Sequence, residues 1–86
     1  MASLKPVYYY VYILESVADP SLHYTGCTID LNAPIDKHNK GDVPHTSKYR
    51  PWRVETAIRV NSKEKARAFE AYLKSGSGRE FSRRHF

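Results

Sequence analysis

Apolar and polar positions fall along the chain in six readable stretches. Residues 7–14, Val-Tyr-Tyr-Tyr-Val-Tyr-Ile-Leu, are β-branched and aromatic with no Gly or Pro, which is the composition of a buried strand. Ala18-Asp19-Pro20-Ser21 carries turn chemistry. Residues 22–27, Leu-His-Tyr-Thr-Gly-Cys, then read as a second strand, so the two strands form a hairpin. Asp30 stands as a helix N-cap, Leu31 and Ile35 share one helical face, and Gly41 supplies the stop. Pro34 removes an early backbone hydrogen bond if Asp30 is the cap, and costs little if the helix starts at Asn32.

Residues 42–50 form a polar, basic loop. Residues 52–60 alternate apolar and polar with period two, the pattern of a half-buried strand. Ser62 caps the next helix, with Lys65 where a capping box places Glu. Ala66, Phe69, Tyr72 and Leu73 make the apolar stripe of that helix. Ser75-Gly76-Ser77-Gly78 breaks it, and residues 79–86 form a short basic helix anchored by Phe81 and Phe86. The order is β-β-α-β-α-α. The economical architecture is α+β, a small three-stranded antiparallel sheet flanked by helices. We expect one domain over residues 1–86, with residues 1–6 as a flexible tail.

Composition narrows the class. Hydrophobic residues are 41% and charged residues 27% of the chain, which argues against disorder in its body. Fourteen Lys and Arg against nine Asp and Glu leave a formal charge of +5, favouring anionic partners, nucleic acid first. The one cysteine, Cys27, excludes an intrachain disulfide and reads as a small buried hydrophobe, so a cytoplasmic location is expected. No apolar run has the length of a membrane span, and the N-terminus lacks a signal-peptide core.

Several polar residues are not demanded by a packed core: Tyr12 and Tyr24 on the hairpin, His38 near the end of the first helix, and Glu70 in the second. Lys37, Arg50, Arg53 and Lys74 surround them in sequence. Phosphodiester hydrolysis needs such a mixture: a base to activate water, a carboxylate for a divalent metal, and cations against the phosphate. Most strand tyrosines serve packing, and His23, His45 and His85 read as surface or capping residues. Their spacing with Cys27 fits no closed zinc site.

At these residues the chain resembles the GIY-YIG endonuclease superfamily in its small standalone bacterial form. Tyr10-Val11-Tyr12 and Tyr24-Thr25-Gly26 are similar to the two halves of the motif. Residues 27–31 resemble G-x-T-x-D-L, with Thr28 in register, and residues 35–39 resemble L-x-x-H-N, with His38 and Asn39 in register. Arg50-Pro51-Trp52 matches an R-P-W step into the third strand, and residues 70–79 match E-x-x-L-K-S-G-x-G-R.

The resemblance implies a metal-dependent nuclease acting on branched, nicked or single-stranded DNA. It implies Tyr12 as general base or orienter of the attacking water, and Tyr24 on the phosphate or the water. It further implies His38 in the proton network, Glu70 as ligand of one Mg²⁺ or Mn²⁺, and Gly26 permitting close approach. Thr28 and Asn39 would be structural, and Lys37, Arg50, Arg53 and Lys74 would contact nucleic acid. Family members carry an arginine four residues before the histidine, and here that position is Pro34. The resemblance therefore implies reduced cleavage, a neighbouring cation such as Lys37 or Arg53 in the arginine's place, or a module that binds nucleic acid without cutting it.

Overall fold

The computed structural model describes residues 7–86; the expected tail at residues 1–6 lies outside them. The order is β1 (Tyr9–Ser16), β2 (His23–Thr28), α1 (Asn32–Lys40), α2 (Pro44–Ser47), β3 (Trp52–Val60), α3 (Lys63–Leu73) and α4 (Gly76–His85). The three strands form one antiparallel sheet in the order β2-β1-β3, the expected α+β architecture. The most apolar strand, β1, takes the centre, where both of its faces can be covered.

Two cores result, one on each face. Val11 and Ile13 pack with Ala66 and Leu73 of α3. Tyr12 and Leu14 pack with Trp52, Leu31 and Ile35 on the α1 side. β3 was expected to offer one apolar face, but it serves both cores. Ile13 pairs with Thr56 while Leu14 pairs with Val54, so Glu55 is an extra residue, a β-bulge. The bulge shifts the alternation, so Val54 joins the core of Tyr12 while Val60 joins that of Val11.

Four local expectations are corrected. Leu31, not Asp30, is the cap of α1; Asp30 Oδ1 instead accepts from the Asn32 N–H at 3.0 Å. Pro34 is thereby the third helical residue, where its missing N–H has no intrahelical partner to lose. The loop at residues 42–50 contains α2, opened by Pro44 at its first position. α3 ends before residues 75–78 as expected, but the last helix starts at Gly76 rather than at residue 79, so this stretch is also the first turn of α4. There Ser75 Oγ accepts from the Gly78 N–H at 3.1 Å, and Gly78 is buried against the Tyr72 carbonyl, leaving no room for a Cβ. Tyr72 leaves the apolar stripe of α3 for the surface, its ring 6.1 Å from that of Phe81. Ser62 caps α3 as expected, accepting from the Lys65 N–H.

Candidate active site

The site is built across β2, the sheet edge that lies between α1 and α3. Tyr12 pairs with Gly26 and Leu14 with Tyr24, so both tyrosines rise from the α1 face of the hairpin. Gly26 lies directly under the Tyr12 ring, and a Cβ there would strike the Tyr12 hydroxyl. The ring thus crosses β2 through the one position without a side chain. Burial first, then Tyr24, Glu70 and Cys27 nearby, push the Tyr12 hydroxyl up to about 12, so it keeps its proton at neutral pH. Glu70, carried on α3 from the other side of the sheet, is thus among the groups that act on it.

Tyr24 lies with its ring centroid 4.4 Å from that of His38, and His45 approaches the same tyrosine at 5.9 Å. His38 is buried. Its Nδ1 is 2.8 Å from Thr46 Oγ1, which donates its own proton to the Val43 carbonyl at 3.2 Å. With that proton spent, Thr46 can only accept from His38, so Nδ1 carries the hydrogen and Nε2 keeps its lone pair. Among the described residues no buried side-chain nitrogen or oxygen lacks a partner, so Nε2, which has none, reaches accessible surface. Burial, with the charges of His45 and Lys37, lowers the His38 pKa and keeps the ring neutral.

The other expected residues take distinct places. Asn39 Oδ1 accepts from the Trp52 N–H at 2.6 Å and its Nδ2 donates to the Trp52 carbonyl at 3.1 Å, tying α1 to the start of β3. Thr28 Oγ1 bonds the backbone of Asp30 in the turn before α1. Pro34 is half-buried on α1, one helical turn before His38. Lys74 Nζ is 3.0 Å from Glu70 Oε2. Lys37 is exposed near His38. Arg50 donates to the Ser47 carbonyl at 2.7 Å. Arg53 is held by Glu15, on the opposite sheet face from Tyr12. The structure therefore brings Tyr12, Tyr24, His38, Glu70 and Lys74 to one edge and leaves Arg53 away from it.

The family model for the GIY-YIG catalytic domain matches residues 8–84. The chain belongs to the GIY-YIG family. No curated protein sequence matches it. Membership points to nuclease chemistry with nucleic acid as substrate. Among the described residues no helix is long and apolar enough to cross a membrane.

GIY-YIG nucleases typically use a metal, and the donor set at Glu70 fits one. A single half-exposed carboxylate borders a cleft of about 480 Å³ with Cys27, Thr28, Lys63 and Arg67, which suits a hard cation that keeps most of its waters. A second grouping, Glu15, His23 and Glu55, brings three potential ligand atoms within 4.8 Å of one another, on the sheet face opposite Tyr12. It forms because the bulge turns Glu55 toward His23, at 2.8 Å. Thr46 and His45 are the site neighbours that sequence reasoning missed. A proline able to open a helical turn, Pro44, was the signal that they stand on structure rather than loop.

Proposed function

We propose that this chain is a divalent-metal-dependent DNA nuclease, slowed by the loss of the helical arginine at Pro34. The observation that carries it is that Glu70, carried on α3, lies near enough to act on the Tyr12 hydroxyl, although Tyr12 stands on the other face of the sheet. Packing alone gives no reason to bring a buried hydroxyl and a carboxylate together there. Glu70 would hold one Mg²⁺ or Mn²⁺, which when bound supplies charge against the phosphate and acidifies a water. Tyr12, protonated, takes the orienting role, donating toward the attacking water or a phosphate oxygen. Tyr24 lines the same edge, and the free Nε2 of His38 accepts a proton from it or from water. Lys74 sits on Glu70 and offsets charge beside the phosphate. Losing one fixed donor to a transition-state oxygen costs about 10²–10³ in rate, the scale of impairment we assign to Pro34.

The test is cleavage of branched, nicked and single-stranded DNA with Mg²⁺ or Mn²⁺. Slow cleavage that Glu70→Ala abolishes is expected. Cleavage that survives Glu70→Ala removes the metal assignment, and rapid cleavage by the unaltered protein removes the impairment.

The Lys74–Glu70 pair favours a second reading, since it satisfies the carboxylate without a metal. On that reading the domain binds DNA and does not cut it. Mg²⁺ then leaves Tm unchanged, whereas a Glu70-held ion raises it by ligand linkage.

A further inference from the structure

Pro34 leaves the phosphate without its helical arginine, and another guanidinium stands beside Glu70. Lys63, Arg67, Glu70 and Lys74 follow one another at helical spacings on one stripe of α3. Three cations against one carboxylate leave that stripe strongly positive. Lys63, Arg67 and Glu70 line one open cleft with Cys27 and Thr28 of the β2 edge. Five other arginines are engaged: Arg53 with Glu15, Arg83 and Arg84 with Glu80, Arg59 over the Tyr8 ring, and Arg50 with a carbonyl. Arg67 is exposed and has no salt bridge among the described residues.

We propose that Arg67 is the guanidinium that grips the substrate phosphate at Glu70, supplying from α3 a part, not the whole, of what Pro34 cannot supply from α1. The inference rests on the nuclease reading of the same edge. An arginine fork binds two phosphate oxygens at once, which a lysine at the same place does not reproduce. Arg67 lies one turn before Glu70 and lines the same cleft, so a phosphate drawn into it meets the fork beside the carboxylate. Lys63 extends the positive track along the cleft wall.

Two measurements decide it, one without chemistry. Binding of a nicked duplex is followed by anisotropy in EDTA across a salt series for the unaltered protein, Arg67→Ala, Arg67→Gln and Arg84→Ala. Arg67→Ala and Arg67→Gln are expected to weaken binding about tenfold or more and to flatten the salt slope by about one, with Arg84→Ala changing less. Equal effects of Arg67→Ala and Arg84→Ala overturn the proposal. Thermal melts check that each variant folds, and glutamine, which keeps the polar stem but not the fork, guards against a local collapse. Cleavage is then compared with Mn²⁺. Arg67→Ala is expected to lower the rate by about 10²–10³, and adding Pro34→Arg to it to restore at least tenfold. Cleavage by Arg67→Ala at the unaltered rate overturns the assignment. If the unaltered protein cuts none of the substrates, the nuclease reading fails, and the binding series alone upholds or overturns Arg67 as the phosphate contact.

Discussion

His38 Nδ1 stands 2.8 Å from Thr46 Oγ1, and Thr46 spends its own proton on the Val43 carbonyl. A residue of the short α2 thus decides which nitrogen of a buried histidine carries the proton. Thr46→Val removes both bonds while keeping the shape. It is expected to destabilise the fold by about 1–3 kcal/mol, because a buried N–H loses its acceptor. Cleavage is expected to fall about tenfold to a hundredfold through the freed ring. Thr46→Ser keeps both bonds and stays near the unaltered protein. Nitrogen-15 NMR of the His38 ring reads the tautomer directly. An unchanged Nδ1–H tautomer in Thr46→Val contradicts the assignment whatever happens to activity.

The same burial makes stability depend on pH. His38 has a folded pKa below its unfolded value of about 6.5, so in that window the unfolded chain binds the proton and the folded chain does not. Stability is fully present above the unfolded pKa, falls as pH drops below it, and levels off below the folded pKa. Urea unfolding at pH 7.5 and pH 5 is expected to show a loss in the unaltered protein that shrinks in His38→Asn. Equal losses in both proteins reject His38 as the source.

Much of this fold can be read from residue pattern, because β1 and α3 carry strong periodic signals and Ser62 a plain cap. The bulge at Glu55 was illegible: period two runs unbroken through residues 52–60, and only pairing with β1 reveals that the faces exchange. Motif spacing also placed Tyr12, Tyr24, His38 and Glu70 as candidates, and the folded chain gathers them at one edge. Arg53 shows the limit of proximity in sequence. It follows Trp52 of the Arg-Pro-Trp step, yet strand alternation turns it to Glu15 on the other face. Thr46 had no pattern of its own, since four residues of helix make no periodicity.

Asn39 ties α1 to β3 by bonding both backbone groups of Trp52. The amide mimics a strand partner for a residue whose own side chain is buried and bonded to the Thr46 carbonyl at 2.9 Å. Asn39→Ala is expected to cost about 2 kcal/mol, from two bonds at roughly 1 kcal/mol each. Because Trp52 is the chain's one tryptophan, its fluorescence reports the loosening without a label. Asn39→Asp keeps the acceptor and loses the donor, so an intermediate stability is expected. Indistinguishable stability in Asn39→Ala rejects the tie.

Gly26 tests whether the Tyr12 ring must cross the β2 edge. A Cβ at Gly26 would meet the hydroxyl end of that ring, a side-chain terminus that can swing aside. Gly26→Ala is therefore expected to destabilise by about 1–3 kcal/mol, the range for overpacking, rather than to abolish folding. Cleavage is expected to fall further than the stability loss explains, since the hydroxyl proposed to orient the reaction is displaced. Tyr12→Phe cannot relieve the clash, because the ring carbon bearing the hydroxyl also lies in the path. Tyr12→Leu shortens the side chain and vacates it. In a double-mutant cycle, Gly26→Ala is expected to cost less stability in the Tyr12→Leu background than alone, with no return of cleavage. Additive stability losses would mean that the two residues do not touch as described. Recovered cleavage in the double variant would mean that Tyr12 does not orient the reaction.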